Sequence, residues 1–114
     1  MIAVEPASSA ILSGEKAGPH KIQGIGANFI PSNYNSQVVD KVMKVTDEDA
    51  IRMGRELSFQ EGVLSGISAG AALSAAVHLG QQPAYEGKNI IVLLPDTGER
   101  YLSTLLFDFE KLPL

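Results

Sequence analysis

One short stretch of the chain has a pattern that is associated with catalysis. Residues 66–70 read Gly-Ile-Ser-Ala-Gly, the G-x-S-x-G arrangement in which a serine on a sharp strand-to-helix turn acts as a nucleophile. Such a serine needs a base to remove its proton. The chain offers two histidines, His20 and His78, so the hydrolase interpretation depends on whether either of them can reach Ser68.

Neither histidine fits that mechanism. The order along the chain should be serine, then acid, then histidine, but His20 precedes Ser68. His78 lies ten residues after Ser68 on the same predicted helix, roughly 15 Å away along the helix axis. We therefore expect Ser68 to be the N-cap of that helix. A helix N terminus can also hold a ligand, because it offers free N–H groups and a partial positive charge.

A glycine-rich loop precedes this helix. Residues 14–35 contain four Gly, two Pro and three Asn, a composition typical of a loop, and a loop of this length in a compact domain is often functional. It includes Gly24 and Gly26, but the third glycine of a dinucleotide-binding fingerprint is absent and no clear strand leads into the motif. From the residues alone, a flexible surface turn is favoured, and no grouping of His, Asp or Glu has a spacing that suits a metal.

Composition narrows the class of protein. The chain has 114 residues, 45% of them hydrophobic, with a net charge of −4 and no cysteine. This is enough for one small domain with a core, while disulfide and thiolate chemistry are excluded. The scattered basic residues do not favour nucleic-acid binding. No apolar run approaches the roughly 18 residues of a membrane span, and Glu5 and Pro6 interrupt the N-terminal apolar stretch, so we expect no signal peptide and a cytoplasmic protein.

The hydrophobic pattern predicts three main strands, with two helices between the second and the third. Strands are expected at 1–4 and near 40–45, and the strongest at 89–95, where the lack of alternation indicates a parallel strand buried on both faces. Thr46 and the acidic residues after it resemble a capping box. A helix should follow to about Gln60 with Gly62 as its C-terminal stop.

Charge and helical spacing predict which faces of the helices are buried. Arg52, Arg55 and Glu56 are expected to face outward from the first helix. A second helix is expected from Ser68 to about Leu79, and its small and apolar residues indicate burial on most sides. The order of strands and helices predicts an α/β fold in which helices flank part of a mainly parallel, twisted sheet.

Three stretches together resemble one family. They are GPHKIQGIGANFIP at 18–31, EGVLSGISAGAAL at 61–73 and LLPDTGERYLST at 94–104. They are similar to the C-terminal part of cysteine synthases, also called O-acetylserine sulfhydrylases, in the tryptophan-synthase-β-like, fold type II group of pyridoxal-phosphate enzymes. The resemblance covers essentially the whole chain and implies that residues 1–114 are the C-terminal segment of such a domain. Asp96 stands where many relatives have serine.

The resemblance implies roles for two residues. The serine that matches Ser68 hydrogen-bonds the pyridine nitrogen of pyridoxal 5'-phosphate, and the residue that matches Gly24 borders the substrate space. Residues 98–101 are expected to be structural. A neutral hydroxyl leaves the ring nitrogen largely unprotonated, which suits elimination of acetate from O-acetyl-L-serine and addition of sulfide in its place, with L-cysteine and acetate as products.

The resemblance also predicts what this chain lacks. The Schiff-base lysine of the family, its substrate loop and its phosphate-binding glycines lie N-terminal to the matching region. We therefore expect no catalytic residue here and an inactive, truncated fragment. The implied partners are a second copy in a homodimer and the C-terminal tail of serine acetyltransferase. The alternatives are a cystathionine β-synthase-like enzyme and an α/β interaction module without catalysis.

Overall fold

The computed structural model describes residues 1–114, which form two strands and two α-helices. Strand β1 spans Ile2–Pro6, β2 spans Lys41–Val45, helix α1 spans Asp47–Glu61 and α2 spans Ile67–Gly80. Short 3₁₀ turns occur at Ala7–Ser9, Ser36–Val38, Pro83–Tyr85, Gly98–Tyr101 and Leu105–Phe107. Neither α-helix combines the length and apolar character that a bilayer crossing requires.

The two strands pair in parallel, from Ile2 opposite Lys41 to Pro6 opposite Val45. Helices flank this small sheet, and the predicted α/β class is confirmed. Strand β1 continues past the predicted end at residue 4 to Pro6, because the side chain of Glu5 is buried and its carboxylate is hydrogen-bonded. Its carboxylate accepts the N–H of Leu12 at 2.8 Å, the N–H of Ser13 at 3.0 Å and the hydroxyl of Ser13 at 2.6 Å.

The local signals at the ends of α1 are confirmed. The Thr46 hydroxyl accepts the Asp49 N–H at 3.1 Å, which satisfies one of the free donors of the first turn. Gly62 ends the helix with a φ of 69° in the left-handed region, a conformation that glycine adopts without steric cost.

Helix α2 begins differently from the prediction, since Gly66 rather than Ser68 is its N-cap. Gly66 is the last extended residue, and its carbonyl accepts the Gly70 N–H at 3.2 Å. Ser68 is therefore the second residue of the helix, and its side chain makes no capping bond. The two helices meet closely at Gly70, where an added Cβ would clash with the Ala50 carbonyl oxygen.

The strand predicted at 89–95 is wrong for this structure. These residues join neither β1 nor β2, and Ile91 and Leu93 are 96% and 77% exposed. An apolar run indicates a preference for burial, but only backbone pairing with a neighbour makes a strand. The backbone pairing next to this segment is a single antiparallel bridge between Ser65 and Thr97.

The prediction that Arg55 faces outward is also wrong. The residue is 3% exposed, and its guanidinium donates to the carbonyl oxygens of Leu106 at 2.6 Å, Leu105 at 3.0 Å and Asp108 at 3.2 Å. It also lies 4.6 Å from the ring centre of Phe109. Arg55 therefore ties the C-terminal segment onto α1.

Candidate functional site

The structure brings Gly24 and Ser68 together, although they are far apart in the chain. A Cβ placed on Gly24 would lie 3.5 Å from the Ser68 hydroxyl oxygen and 3.8 Å from its Cβ. The two residues predicted to contact cofactor and substrate thus form one surface. A side chain at position 24 would therefore begin in van der Waals contact with the serine hydroxyl.

Ser68 has the chemistry of a ligand-binding hydroxyl. The residue is 5% exposed, and it lies in the first turn of α2, where the helix has no side-chain cap. A serine hydroxyl can donate one hydrogen bond and accept others. It can therefore pair with a neutral ring nitrogen without placing a negative charge beside it.

The Gly24 turn depends on backbone conformations that few residues adopt. Gly24 has a φ of 100°, and Gly26 and Asn28 each have a φ of 65°. Asparagine tolerates this left-handed region better than most residues, and the Asn28 side-chain oxygen accepts the Ser9 hydroxyl at 2.7 Å. These contacts fix the far end of the turn against the residues that follow β1.

His20 holds the near end of the same turn. Its Nε2 lies 2.8 Å from the Gly26 carbonyl oxygen, and the Ile22 N–H donates to its Nδ1 at 3.1 Å. From the sequence, His20 is considered only as a base for Ser68, and these two bonds are not predicted. The signal that could have found its role is its position a few residues before two glycines, where a ring can bridge both sides of a short turn.

A cavity of about 490 Å³ lies along this loop, lined by residues that include Gly24, Phe29 and Tyr34. Ser68 is not among the residues that line it. Gly24 therefore borders this cavity and also lies next to Ser68.

Asp96 and Tyr101 lie behind the N terminus of α2. The Tyr101 hydroxyl donates to one Asp96 carboxylate oxygen, and a Cβ on Gly66 would clash with both side chains. The hydrogen bond to Asp96 raises the pKa of Tyr101, and burial raises it further. The other Asp96 oxygen and the Ser65 hydroxyl are buried without a partner. Tyr101 belongs to the hydrophobic core, which agrees with a structural role for residues 98–101.

The exposure of the lysines and the pairing of one of them bear on their chemistry. All six are exposed, namely Lys16, Lys21, Lys41, Lys44, Lys88 and Lys111. The Lys44 ammonium pairs with Glu15 at 2.6 Å, and this hydrogen bond raises the pKa of Lys44. A lysine that acts as a nucleophile needs a lowered pKa instead.

Comparison with known proteins identifies the family. The family model described as pyridoxal-phosphate dependent enzyme matches residues 1–96. The chain belongs to this family. It is 54% identical over 112 residues to cysteine synthase A of Escherichia coli (strain K12), covering 93% of this chain and 35% of that protein. The chain therefore spans about a third of the length of this relative.

Two solved structures give the same result for the fold. The cysteine synthase of Entamoeba histolytica superposes with a TM-score of 0.92 at 46% identity, over 94% of this chain and 32% of that one. The O-acetylserine-dependent cystathionine β-synthase from Helicobacter pylori superposes with a TM-score of 0.83 at 39% identity, over 93% of this chain and 34% of that one.

The residues present fit one part of the family's cofactor. A pyridine nitrogen needs one hydrogen-bonding partner, and the Ser68 hydroxyl is a buried, uncharged group that does not cap its own helix. Gly24 next to it has no side chain to block a flat ring. Gly24 and Ser68 can therefore bind the edge of a pyridoxal ring. They offer neither a group that would bind its phosphate nor an amine that would form its covalent link.

Proposed function

We propose that this chain is the C-terminal segment of a pyridoxal-phosphate-dependent cysteine synthase. The reaction is replacement of the acetate of O-acetyl-L-serine by sulfide: the bond from Cβ to the ester oxygen breaks, a bond from Cβ to sulfur forms, and L-cysteine and acetate leave. The observation that carries the proposal is the position of Gly24 beside Ser68, where an added Cβ would lie 3.5 Å from the hydroxyl, in a chain that is 54% identical to a cysteine synthase.

Ser68 has the role of cofactor partner in this proposal. When bound, the cofactor supplies a ring that withdraws electrons from the substrate carbons. The Ser68 hydroxyl would hold the ring nitrogen by a hydrogen bond and fix the tilt of the ring. Because a hydroxyl is neutral at working pH, it does not hold a proton on that nitrogen as a carboxylate would. The first turn of α2 contributes a partial positive potential at the same place.

Gly24 has the role of substrate wall. Its lack of a side chain leaves the Ser68 hydroxyl uncovered on this side, and its φ of 100° is a conformation that residues with a side chain rarely adopt. Backbone groups in a fixed turn can bind the polar end of a small amino acid without the entropy loss of a flexible side chain. The rigid turn would thereby orient substrate and keep water from the reacting atoms.

The remaining parts of the site are proposed to come from the rest of a longer protein. The relative from E. coli is about three times as long as the matched region, and the family resemblance implies that the lysine and the phosphate-binding glycines lie N-terminal to that region. This part alone is expected to be inactive. The complete protein is proposed to act in the cytoplasm as a homodimer, with the tail of serine acetyltransferase as a further partner at the Gly24 turn.

The direct experiment is an assay of the complete gene product. Purified protein, loaded with pyridoxal phosphate, is given O-acetyl-L-serine and sulfide, and L-cysteine and acetate are both quantified. The proposal expects the two products in equal amounts and no turnover when either substrate is omitted. Cofactor binding without cysteine formation would overturn the assignment of the reaction while leaving the family unchanged.

A second candidate is a cystathionine β-synthase-like reaction, in which the thiol of homocysteine replaces sulfide. It is supported by the structural similarity to the H. pylori enzyme, a protein described as O-acetylserine-dependent. The same assay with homocysteine in place of sulfide distinguishes the two, since cystathionine would then accumulate. An interaction module without catalysis would give neither product.

A further inference from the structure

The two hydrogen bonds of His20 determine which ring nitrogen carries the proton. The backbone N–H of Ile22 can only donate, so Nδ1 must accept from it at 3.1 Å. The carbonyl of Gly26 can only accept, so Nε2 must donate to it at 2.8 Å. Both bonds form only in the neutral imidazole with its proton on Nε2. A second proton on Nδ1 would face the Ile22 N–H and break that bond.

The ring also fits tightly against the turn that it bridges. A Cβ on Gly26 would lie 2.5 Å from His20 Nε2 and 2.5 Å from a Pro6 side-chain carbon. Ile22, at the other end of the bridge, is fully buried. Gly24 lies between these two anchors, so its position follows from them.

The charged groups near the turn leave the imidazole free for these two bonds. The Lys21 N–H donates to Asp47 at the start of α1, at 3.0 Å, and buried Glu5 on β1 is occupied by Leu12 and Ser13. The His20 ring pairs with backbone groups alone. The turn is therefore bridged by one side chain, that of His20. It is also tied to α1 through the Asp47 carboxylate and to the residues after β1 through Asn28.

We propose that His20 is a positioning residue: its neutral ring, protonated on Nε2, ties Ile22 to Gly26 and thereby fixes the turn that presents Gly24 to Ser68. His20 does not touch substrate or cofactor in this proposal. It acts through the backbone of the Gly24 turn, and its effect on substrate affinity rests on the proposed function.

Three substitutions separate the two bonds, all made in the complete protein. His20→Asn keeps an acceptor near the position of Nδ1, His20→Gln keeps a donor near the position of Nε2, and His20→Ala keeps neither. His78→Ala is the matched control, because His78 lies exposed near the end of α2. Hydrogen exchange of peptides covering residues 21–28 is measured together with kcat and KM for O-acetyl-L-serine.

The proposal expects faster exchange in residues 21–28 for His20→Ala, with KM raised about tenfold, the effect of losing one or two hydrogen bonds, and kcat little changed. His20→Asn and His20→Gln should each fall between the parent and His20→Ala, and His78→Ala should match the parent. Unchanged exchange in His20→Ala would overturn the proposal. So would a fall in kcat at constant KM, or Asn and Gln variants as defective as His20→Ala. If the parent protein has no activity on O-acetyl-L-serine, the proposed function fails, while the exchange measurement still tests His20.

Discussion

Gly24 and Ser68 meet so closely that a single methyl group on Gly24 would touch the serine hydroxyl, at 3.5 Å. The contact joins a loop that follows β1 to the first turn of α2. It depends on two separate features, the positive φ of Gly24 and the position of Ser68 as the second residue of its helix. Each can be changed independently of the other.

Replacing Gly24 by tryptophan should abolish substrate binding. The side chain would cover Ser68, and a non-glycine residue at a φ of 100° adds roughly 1–3 kcal/mol of strain. Gly14→Trp is the control, because Gly14 has a φ of 83° but nothing within 4 Å of its added Cβ. Both variants should lose stability in a urea titration, but only Gly24→Trp should lose binding of O-acetyl-L-serine and of a serine acetyltransferase tail peptide. Equal binding by both would show that the Gly24 turn does not border the substrate.

Gly70→Ala should destabilise the packing of α1 on α2. Its new Cβ would clash with the carbonyl of Ala50 and lie 2.8 Å from the Gly54 nitrogen, and overpacking of this kind costs about 1–3 kcal/mol. Gly80→Ala in the same helix meets only a side-chain carbon of Ile90 at 3.7 Å, so it should be neutral or slightly stabilising. Thermal unfolding of the two variants measures the difference, and equal melting temperatures would contradict the packing described.

Arg55→Lys should loosen the C-terminal segment. Burial lowers the pKa of Arg55, an effect that Asp108 opposes, and the planar guanidinium serves several carbonyl oxygens at once. A lysine cannot reproduce this fork, and the lost bonds to a charged group are worth at least about 2 kcal/mol. Arg52→Lys, at an exposed i,i+3 ion pair with Asp49, is the control. Limited proteolysis near residues 105–112 should be faster in Arg55→Lys alone, and equal rates would contradict this role.

The Tyr101 hydrogen bond should make stability fall at alkaline pH. The pKa of Tyr101 is raised in the folded chain, first by its bond to Asp96. The stability that this hydrogen bond contributes is therefore fully present below the pKa of an unfolded tyrosine, about 10. It is lost as the pH rises through the higher pKa of Tyr101 in the folded chain. Tyr101→Phe should lower the free energy of unfolding by about 1.5–3 kcal/mol near neutral pH. At alkaline pH, its free energy of unfolding should fall less steeply than that of the parent protein. Urea midpoints measured at several pH values check this, and parallel declines would exclude the Tyr101 contribution.

The sequence predicted elements whose signals are local. Thr46 and Gly62 mark the ends of α1 because capping depends on a few neighbouring residues. The role of Arg55 was missed because helical periodicity registers a charge but not the distant carbonyls that surround it. The strand expected at 89–95 was wrong because pairing depends on a neighbouring strand that the run itself does not specify. Ser68 was identified as a candidate from its motif and the family resemblance, whereas its contact with Gly24 required the fold.

The chemistry of Ser68 is the central claim, and Ser68→Ala in the complete protein tests it most directly. Because Ser68 is not the N-cap, the substitution should leave stability nearly unchanged. It removes one hydrogen bond worth about 0.5–1.5 kcal/mol. Ser74→Ala in the same helix is the control, and Ser68→Asp should alter the visible absorption of the bound cofactor by favouring a protonated ring nitrogen. The measurement is turnover of O-acetyl-L-serine with sulfide, normalised to bound cofactor. The account predicts that Ser68→Ala retains the cofactor and loses about tenfold or less in turnover. A loss of several powers of ten with cofactor still bound is the behaviour of a nucleophile, and it would contradict the role as cofactor partner.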